Sequence, residues 1–455
     1  MNNFALTAIS PLDGRYSDKL QGLRPLFSEF GLIRFRLIVE VRWLQMLVQQ
    51  GELPELPRLS AHGQKILNDM IENFSEQDAA RVKHIEAGIN HDVKAIEYFI
   101  KEHISGNKEL AQIAEFIHFG CTSEDINNLA YALMLNTARQ QCLMPQLSEL
   151  ITELQTFAHE YAKQPMLSRT HGQPATPTTV GKEMANFIAR LKRQMDLLVG
   201  TPILGKLNGA SGNYNALATA YPNIDWQLLS KNFINKLGLT WNPYTTQIEP
   251  HDYMAELFAI VMRINTILLD FSRDMWAYIA LNYFSQKAYN NEVGSSVMPH
   301  KINPIDFENA EGNLGLANAL LGHMVEKLPI SRWQRDLSDS TVLRNIGVAL
   351  AHSTLAYLSL YRGLQKITPN LEVIQADLDN HWEILAEPVQ TLMRRYGIEQ
   401  PYEKLKALTR GRPVNKKLLH QFINEQPLPD EIKKQLLELK PESYLGYATD
   451  LAKRI

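Results

Sequence analysis

Apolar residues along this chain recur mostly at three- and four-residue steps and seldom alternate, so the pattern predicts a mainly α-helical protein. After Gly31, the residues Leu32, Phe35, Val39, Trp43 and Leu47 fall on one helical face, and Leu53-Pro54-Glu55-Leu56-Pro57 is expected to end that helix. Val93, Ile96 and Ile100 form a shorter stripe, with Asn90 expected as its N-cap and His91 in its first turn. Val180, Met184, Phe187, Ile188, Leu191, Met195 and Leu198 make a long stripe, as do Leu257, Val261, Ile264, Leu268, Phe271 and Met275. Faces this wide need partners, either within one chain or in a bundle completed by other subunits. Long periods run from about Ala111 to Leu364, and shorter segments follow Ile367-Thr368-Pro369-Asn370. The expected division is therefore an N-terminal helical domain 1–111, a long-helix bundle 112–364 and a small helical domain 365–455.

The interruptions carry the polar chemistry. Glu292 to Pro304 has no helical period: Gly294, Ser295 and Ser296 give a hydroxyl-rich tip, Pro299 and Pro304 stiffen the next turn, and Lys301 and Asn303 add a cation and an amide. That set suits closure over an anion, although a solvated connector has a similar composition. Gly120-Cys121-Thr122-Ser123-Glu124-Asp125 reads as a helix start, with Thr122 and Asp125 spaced as a capping box. In Ser168 to Pro177, two prolines interrupt any helix and leave His171 on an accessible turn. Polar loops recur at Gly209 to Gly212 and at Tyr244 to Asp252, the second containing Gln247. Glu308 lies near the favourable N-terminal end of a further helix. Arg332, Arg335 and Arg344, with Ser340 one turn before Arg344, suit a phosphate or form a surface salt-bridge cluster.

Composition narrows the classes. A net charge of −3 without a basic block gives no general field for nucleic acid or an acidic membrane surface. The opening residues lack a leader pattern and the longer apolar stretches are broken by charge, so neither secretion nor membrane insertion is expected. Cys121 and Cys142, without metal-ligand spacing, argue against a disulfide framework or structural metal and fit a reducing cytoplasm.

Gly294-Ser295-Ser296-x-Met298-Pro299-x-Lys301-x-Asn303-Pro304 resembles the signature of the fumarase/aspartase superfamily of elimination enzymes, and His300 within it resembles the adenylosuccinate lyase branch. Thr122-Ser123-x-Asp125 and Thr170-His171-x-Gln173-Pro174 match two further blocks, and the resemblance runs from Asp13-Gly14-Arg15-Tyr16 to Arg410. It implies a three-domain fold whose central bundle is completed in a homotetramer with shared active sites, and no cofactor. It also implies a carbon–nitrogen elimination on a nucleotide: fumarate leaves adenylosuccinate to give AMP, or leaves the related succinylaminoimidazolecarboxamide ribotide. By the same resemblance Ser295 is the general base, His171 the general acid, and Glu308 the support of that histidine. Lys301 and Asn303 contact the succinyl carboxylates, with Ser296 beside them, and Thr122 and Ser123 hold a carboxylate or phosphate. Arg15, Tyr16, His91, Arg335 and the run Ser340, Thr341, Val342, Leu343, Arg344 hold phosphate and ribose, with Asn90, Asp92, Gln247 and Asn309 as further contacts. A superfamily member acting on argininosuccinate, malate or aspartate is the nearest alternative, and a non-catalytic bundle the more distant one.

Overall fold

The computed structural model describes residues 3–287, 297–298, 301–409 and 414–455. These are mainly helical, joined by three two-stranded sheets. The chain forms two compact units, the first made of Met1–Leu147, Gln194–Thr266 and Gly312–Ala356, the second of Ser148–Arg193, Ile267–Glu311 and Tyr357–Ile455.

In the first unit the Glu29–Gln50 helix begins on Ser28, whose Oγ accepts from the Gly31 amide at 3.1 Å. Its apolar face is buried against the Ser123–Ala138 helix. Each fully buried Leu or Val there contributes roughly 1.5–3 kcal/mol. Trp43 is wholly buried, edge-on to Phe233 at 5.2 Å, and its indole N–H donates to the Phe119 carbonyl at 3.1 Å. The helix stops before the prolines expected to end it, because Gly51 adopts the left-handed conformation at φ 71°. A second boundary also differs from expectation. Asn90 does not cap the Asp92–Ile104 helix; at φ 54° it closes the preceding Glu76–Ile89 helix. His91 is the N-cap, its Nδ1 accepting from the Lys94 amide at 3.1 Å. The two helices abut so closely that consecutive residues serve opposite ends, and asparagine tolerates the left-handed turn.

The second unit contains an antiparallel hairpin, Pro165–Thr170 with Gln173–Thr179, that the helical pattern did not reveal. His171 at φ 53° and Gly172 at φ 73° form its two-residue turn. Leu167 reaches a core that includes Leu378, Val389, Met393, Leu419 and Ile423. Phe284–Gln286 pairs antiparallel with Ile367–Pro369. Phe271 sits edge-on to Phe187 at 5.3 Å and to Phe307 at 6.2 Å. Gly363 packs closely beside this stack, where a Cβ would lie 3.0 Å from the Phe307 ring. The two long stripes fall on the Val180–Gly200 and Asp252–Ala280 helices, as their periods require. Among the described residues no helix is long and apolar enough to cross a membrane.

Candidate active site

In the first unit, the start of the Ser123–Ala138 helix is organised by Asp125. The Thr122 amide donates to Asp125 Oδ2 at 2.8 Å, the capping contact expected from sequence. Asp125 also accepts from the amides of Asn208 at 2.9 Å and Gly209 at 3.0 Å, and pairs with Lys206 Nζ at 2.8 Å. Both charged groups are wholly buried, and Lys206 donates in addition to the Gly209 carbonyl at 3.0 Å. Asn208 Nδ2 donates to Thr245 Oγ1 at 2.8 Å, Gln247 Nε2 to the Ala210 carbonyl at 3.2 Å, and the Gln247 amide to the Gln334 carbonyl at 3.3 Å. Gly212, at φ 81°, comes so close to the same loop that a Cβ would stand 2.3 Å from the Thr245 carbonyl oxygen. Thr122, through Asp125, and Gln247, through Gln334, thus meet neighbouring loops by a mixture of buried and exposed hydrogen bonds.

The arginines meet carboxylates. Arg335 Nη1 lies 2.8 Å from Glu124 Oε1 in an ion pair without hydrogen-bond alignment, and its Nη2 lies 3.8 Å from Asp339 Oδ1. Asp339 Oδ2 is 3.3 Å from Nε2 of the buried His251, whose own amide donates to Glu249 Oε2 at 2.8 Å. Burial raises the Glu249 carboxyl above its usual range; burial acts likewise on Asp339, but His251 and Arg335 together hold that carboxyl below it. Arg344, at the end of the short Ser338–Leu343 helix, pairs with Glu29 Oε2 at 3.0 Å and Asp92 Oδ2 at 3.3 Å. Asp92 is also held by Arg36 at 2.7 Å. Burial pushes the Asp92 carboxyl up, but Arg36, the Val93 amide and Arg344 hold it below the ordinary range. Of the Ser340–Leu343 run, Leu343 is buried and faces, with Arg344, a cavity of about 100 Å³ beside Glu29 and Tyr131. Arg15 is exposed, its guanidinium 5.9 Å from the centre of the Tyr16 ring.

In the second unit, His171 stands exposed at the hairpin tip. The hairpin is held on both strands: Arg169 Nη2 pairs with Asp377 Oδ2 at 2.6 Å, and Thr176 Oγ1 donates to Glu387 Oε2 at 2.5 Å. Asp377 also accepts from the Tyr283 hydroxyl, and Glu387 from the Tyr444 hydroxyl at 3.2 Å. Lys301 is exposed and Asn303 half-buried just ahead of the Ile305–Lys327 helix, where the Ile305 amide donates to the Asn303 carbonyl at 2.8 Å. Glu308 lies in the first turn of that helix and accepts from Trp276 Nε1 at 3.1 Å, while Asn309 Oδ1 accepts from Ser359 Oγ at 2.8 Å. Among the described residues no hydrogen bond or ion pair joins Glu308 to His171. Ser295 and Ser296, with Pro299 and His300 of the same signature, lie outside the described residues. Among the described residues, no group of three or more His, Cys, Asp or Glu is placed to hold a metal.

Residues 14–318 match the family described as Lyase, and residues 331–445 the family described as Adenylosuccinate lyase C-terminal. The chain is 57% identical over 450 residues to an adenylosuccinate lyase of Haemophilus influenzae, covering 99% of each. It is 56% identical over 444 residues to that of Escherichia coli, covering 98% of this chain and 97% of the relative. The chain belongs to the adenylosuccinate lyase family. The fold also matches solved structures with little sequence in common. A 3-carboxy-cis,cis-muconate lactonizing enzyme from Pseudomonas putida gives a TM-score of 0.74 at 20% identity, covering 95% of each chain. A fumarate lyase from Mesorhizobium sp. BNC1 gives 0.75 at 16%, covering 95% and 96%.

Membership of the adenylosuccinate lyase family accords with the blocks at 122–125, 170–174 and 294–304. Several residues that hold this family's candidate groups in place escape a reading of the sequence. Lys206, Arg36, Glu124 and His251 each bear on one of those groups through a direct contact or a single intermediate, and Asp377 and Glu387 hold the strands of the hairpin that carries His171. Only Glu124 sits inside a recognised block; the others lie at distances along the chain that no local pattern encodes.

Proposed function

We propose that this lyase removes fumarate from adenylosuccinate to leave AMP, and from succinylaminoimidazolecarboxamide ribotide to leave the corresponding carboxamide ribotide. The end-to-end likeness to bacterial adenylosuccinate lyases carries the reading. Elimination requires a base for the proton on the carbon beside a carboxylate, support for the resulting aci-carboxylate, and an acid for the departing nitrogen. Ser295 takes the proton and His171 returns one to nitrogen. A serine hydroxyl is a weak base until deprotonated, so its alkoxide needs a nearby cation, a role we give to Lys301. Lys301 and Asn303, with Ser296, hold the succinyl carboxylates. Glu308 steadies the imidazolium form of His171 electrostatically. Thr122 and Ser123 offer hydroxyls and amides at a helix start to an anion. Arg15, Tyr16, Asn90, His91, Asp92, Gln247, Asn309, Arg335 and Ser340 to Arg344 complete the nucleotide site.

The working enzyme is proposed to be a homotetramer in the cytoplasm, its central bundle shared and the three blocks contributed by different subunits. On this reading the division into segments 1–111, 112–364 and 365–455 describes consecutive parts of each subunit. Ultraviolet absorbance during incubation with adenylosuccinate, beside argininosuccinate and malate, tests the activity; turnover of a control alone overturns the substrate. Mixing His171→Ala with Ser295→Ala protein restores part of the activity if sites are shared, and confirmed subunit exchange without restoration refutes sharing.

A further inference from the structure

One buried guanidinium lies between the two arginines assigned to the nucleotide. Arg36 has a side-chain exposure of 3%. Its Nη2 donates to Asp92 Oδ2 at 2.7 Å, the same oxygen that Arg344 approaches at 3.3 Å. Its Nε donates to Asn127 Oδ1 at 2.8 Å, and Asn127 Nδ2 donates to Glu124 Oε1 at 2.7 Å. Glu124 Oε1 is in turn the oxygen paired with Arg335. A continuous line therefore runs Arg344, Asp92, Arg36, Asn127, Glu124, Arg335, all within the first unit.

A buried charge is maintained at a desolvation penalty, and an apolar side chain of the same size often gives at least equal stability. Stability alone thus gives little reason for an arginine at position 36. Geometry gives a better one: a planar fork can bind Asp92 and Asn127 at fixed separation, which a lysine ammonium cannot. The closer approach of Arg36 to Asp92 also has an electrostatic effect. It compensates the carboxylate that Arg344 shares, so that the Arg344 guanidinium, 39% exposed and also paired with Glu29 at 3.0 Å, is held less tightly by Asp92.

We propose that Arg36, acting through Asp92 on one side and Asn127 and Glu124 on the other, fixes the spacing and availability of Arg344 and Arg335 for the nucleotide phosphate. Arg36 is a positioning residue and touches no substrate. The inference rests on the assignment of Arg335 and Arg344 to the nucleotide.

The test uses calorimetric titration of the full chain with AMP and with adenosine, beside steady-state kinetics. Arg36→Met and Asn127→Ala are expected to raise the dissociation constant for AMP about tenfold, the size of one charge-assisted contact. Adenosine affinity stays within about twofold and kcat within about threefold of the parent, so the loss appears in KM. Asn127→Ala keeps the test open if Arg36→Met folds poorly. Equal weakening of AMP and adenosine, or unchanged AMP binding by Asn127→Ala, overturns the inference. Arg335→Ala and Arg344→Ala are the control: if neither weakens AMP, the parent assignment falls and takes the inference with it. If they weaken AMP while Asn127→Ala does not, the assignment stands and the inference alone fails.

Discussion

Replacing Lys206 by methionine removes one half of a wholly buried ion pair while leaving volume nearly unchanged. At an effective dielectric of about 20, attraction across the 2.8 Å between Lys206 and Asp125 is roughly 6 kcal/mol, most of it offset by desolvation of both ions. Breaking such a pair from one side costs about 3–5 kcal/mol, since the remaining charge stays buried. Here the Asp125 carboxylate keeps the amides of Thr122, Asn208 and Gly209, which places Lys206→Met near the lower end, at about 3 kcal/mol. The double variant Lys206→Met/Asp125→Asn removes the uncompensated charge and should cost only about 1–2 kcal/mol, less than Lys206→Met alone. Urea unfolding followed by tryptophan fluorescence measures both, provided the slope with denaturant is unchanged. A single variant within 1 kcal/mol of the parent, or a double variant worse than the single, would refute the account.

Three other outcomes are expected from the geometry. Burial lowers the affinity of His118 for a proton, but Glu40 at 2.6 Å outweighs it and raises the folded-state pKa. The contribution is therefore complete below the unfolded value of about 6.5 and is lost as pH rises through the higher folded value; Glu40→Gln should flatten that part of the melting-temperature profile, and an unchanged slope counts against the pair. Gly212→Ala forces a Cβ toward the Thr245 carbonyl at a left-handed φ and should destabilise by about 1–3 kcal/mol while raising KM; a neutral change in both shows that the loop yields freely. Asp377→Asn loosens the strand that carries Arg169 and should lower kcat by about 10- to 100-fold with the melting temperature little changed, so a parent-like kcat would mean the hairpin needs no such anchor.

The long helices were legible because their apolar stripes repeat over many turns, as from Leu257 to Met275. The Thr122–Asp125 cap was legible because its spacing is local. The hairpin around His171 was not: Pro174 and Pro177 mark breaks more clearly than strands, and polar residues occupy much of its length. His171 was nevertheless rightly placed on a turn. The exchange of roles between Asn90 and His91 escaped because either residue can cap, and the choice depends on where the preceding helix stops. Pairs such as Arg36 with Asp92 and Lys206 with Asp125 escaped for a different reason, since charge partners brought together by packing leave no periodic mark in the chain.

The fastening of the His171 hairpin by Asp377 and Glu387 bears on how relatives of this enzyme can be recombined. A chimaera that takes residues 371 to 444 from one homologue and the rest from another would draw the His171 hairpin and the carboxylates that hold it from different sources. Exchanging segment 165–179 together with that carboxy-terminal stretch keeps the ropes and the cleats from the same source.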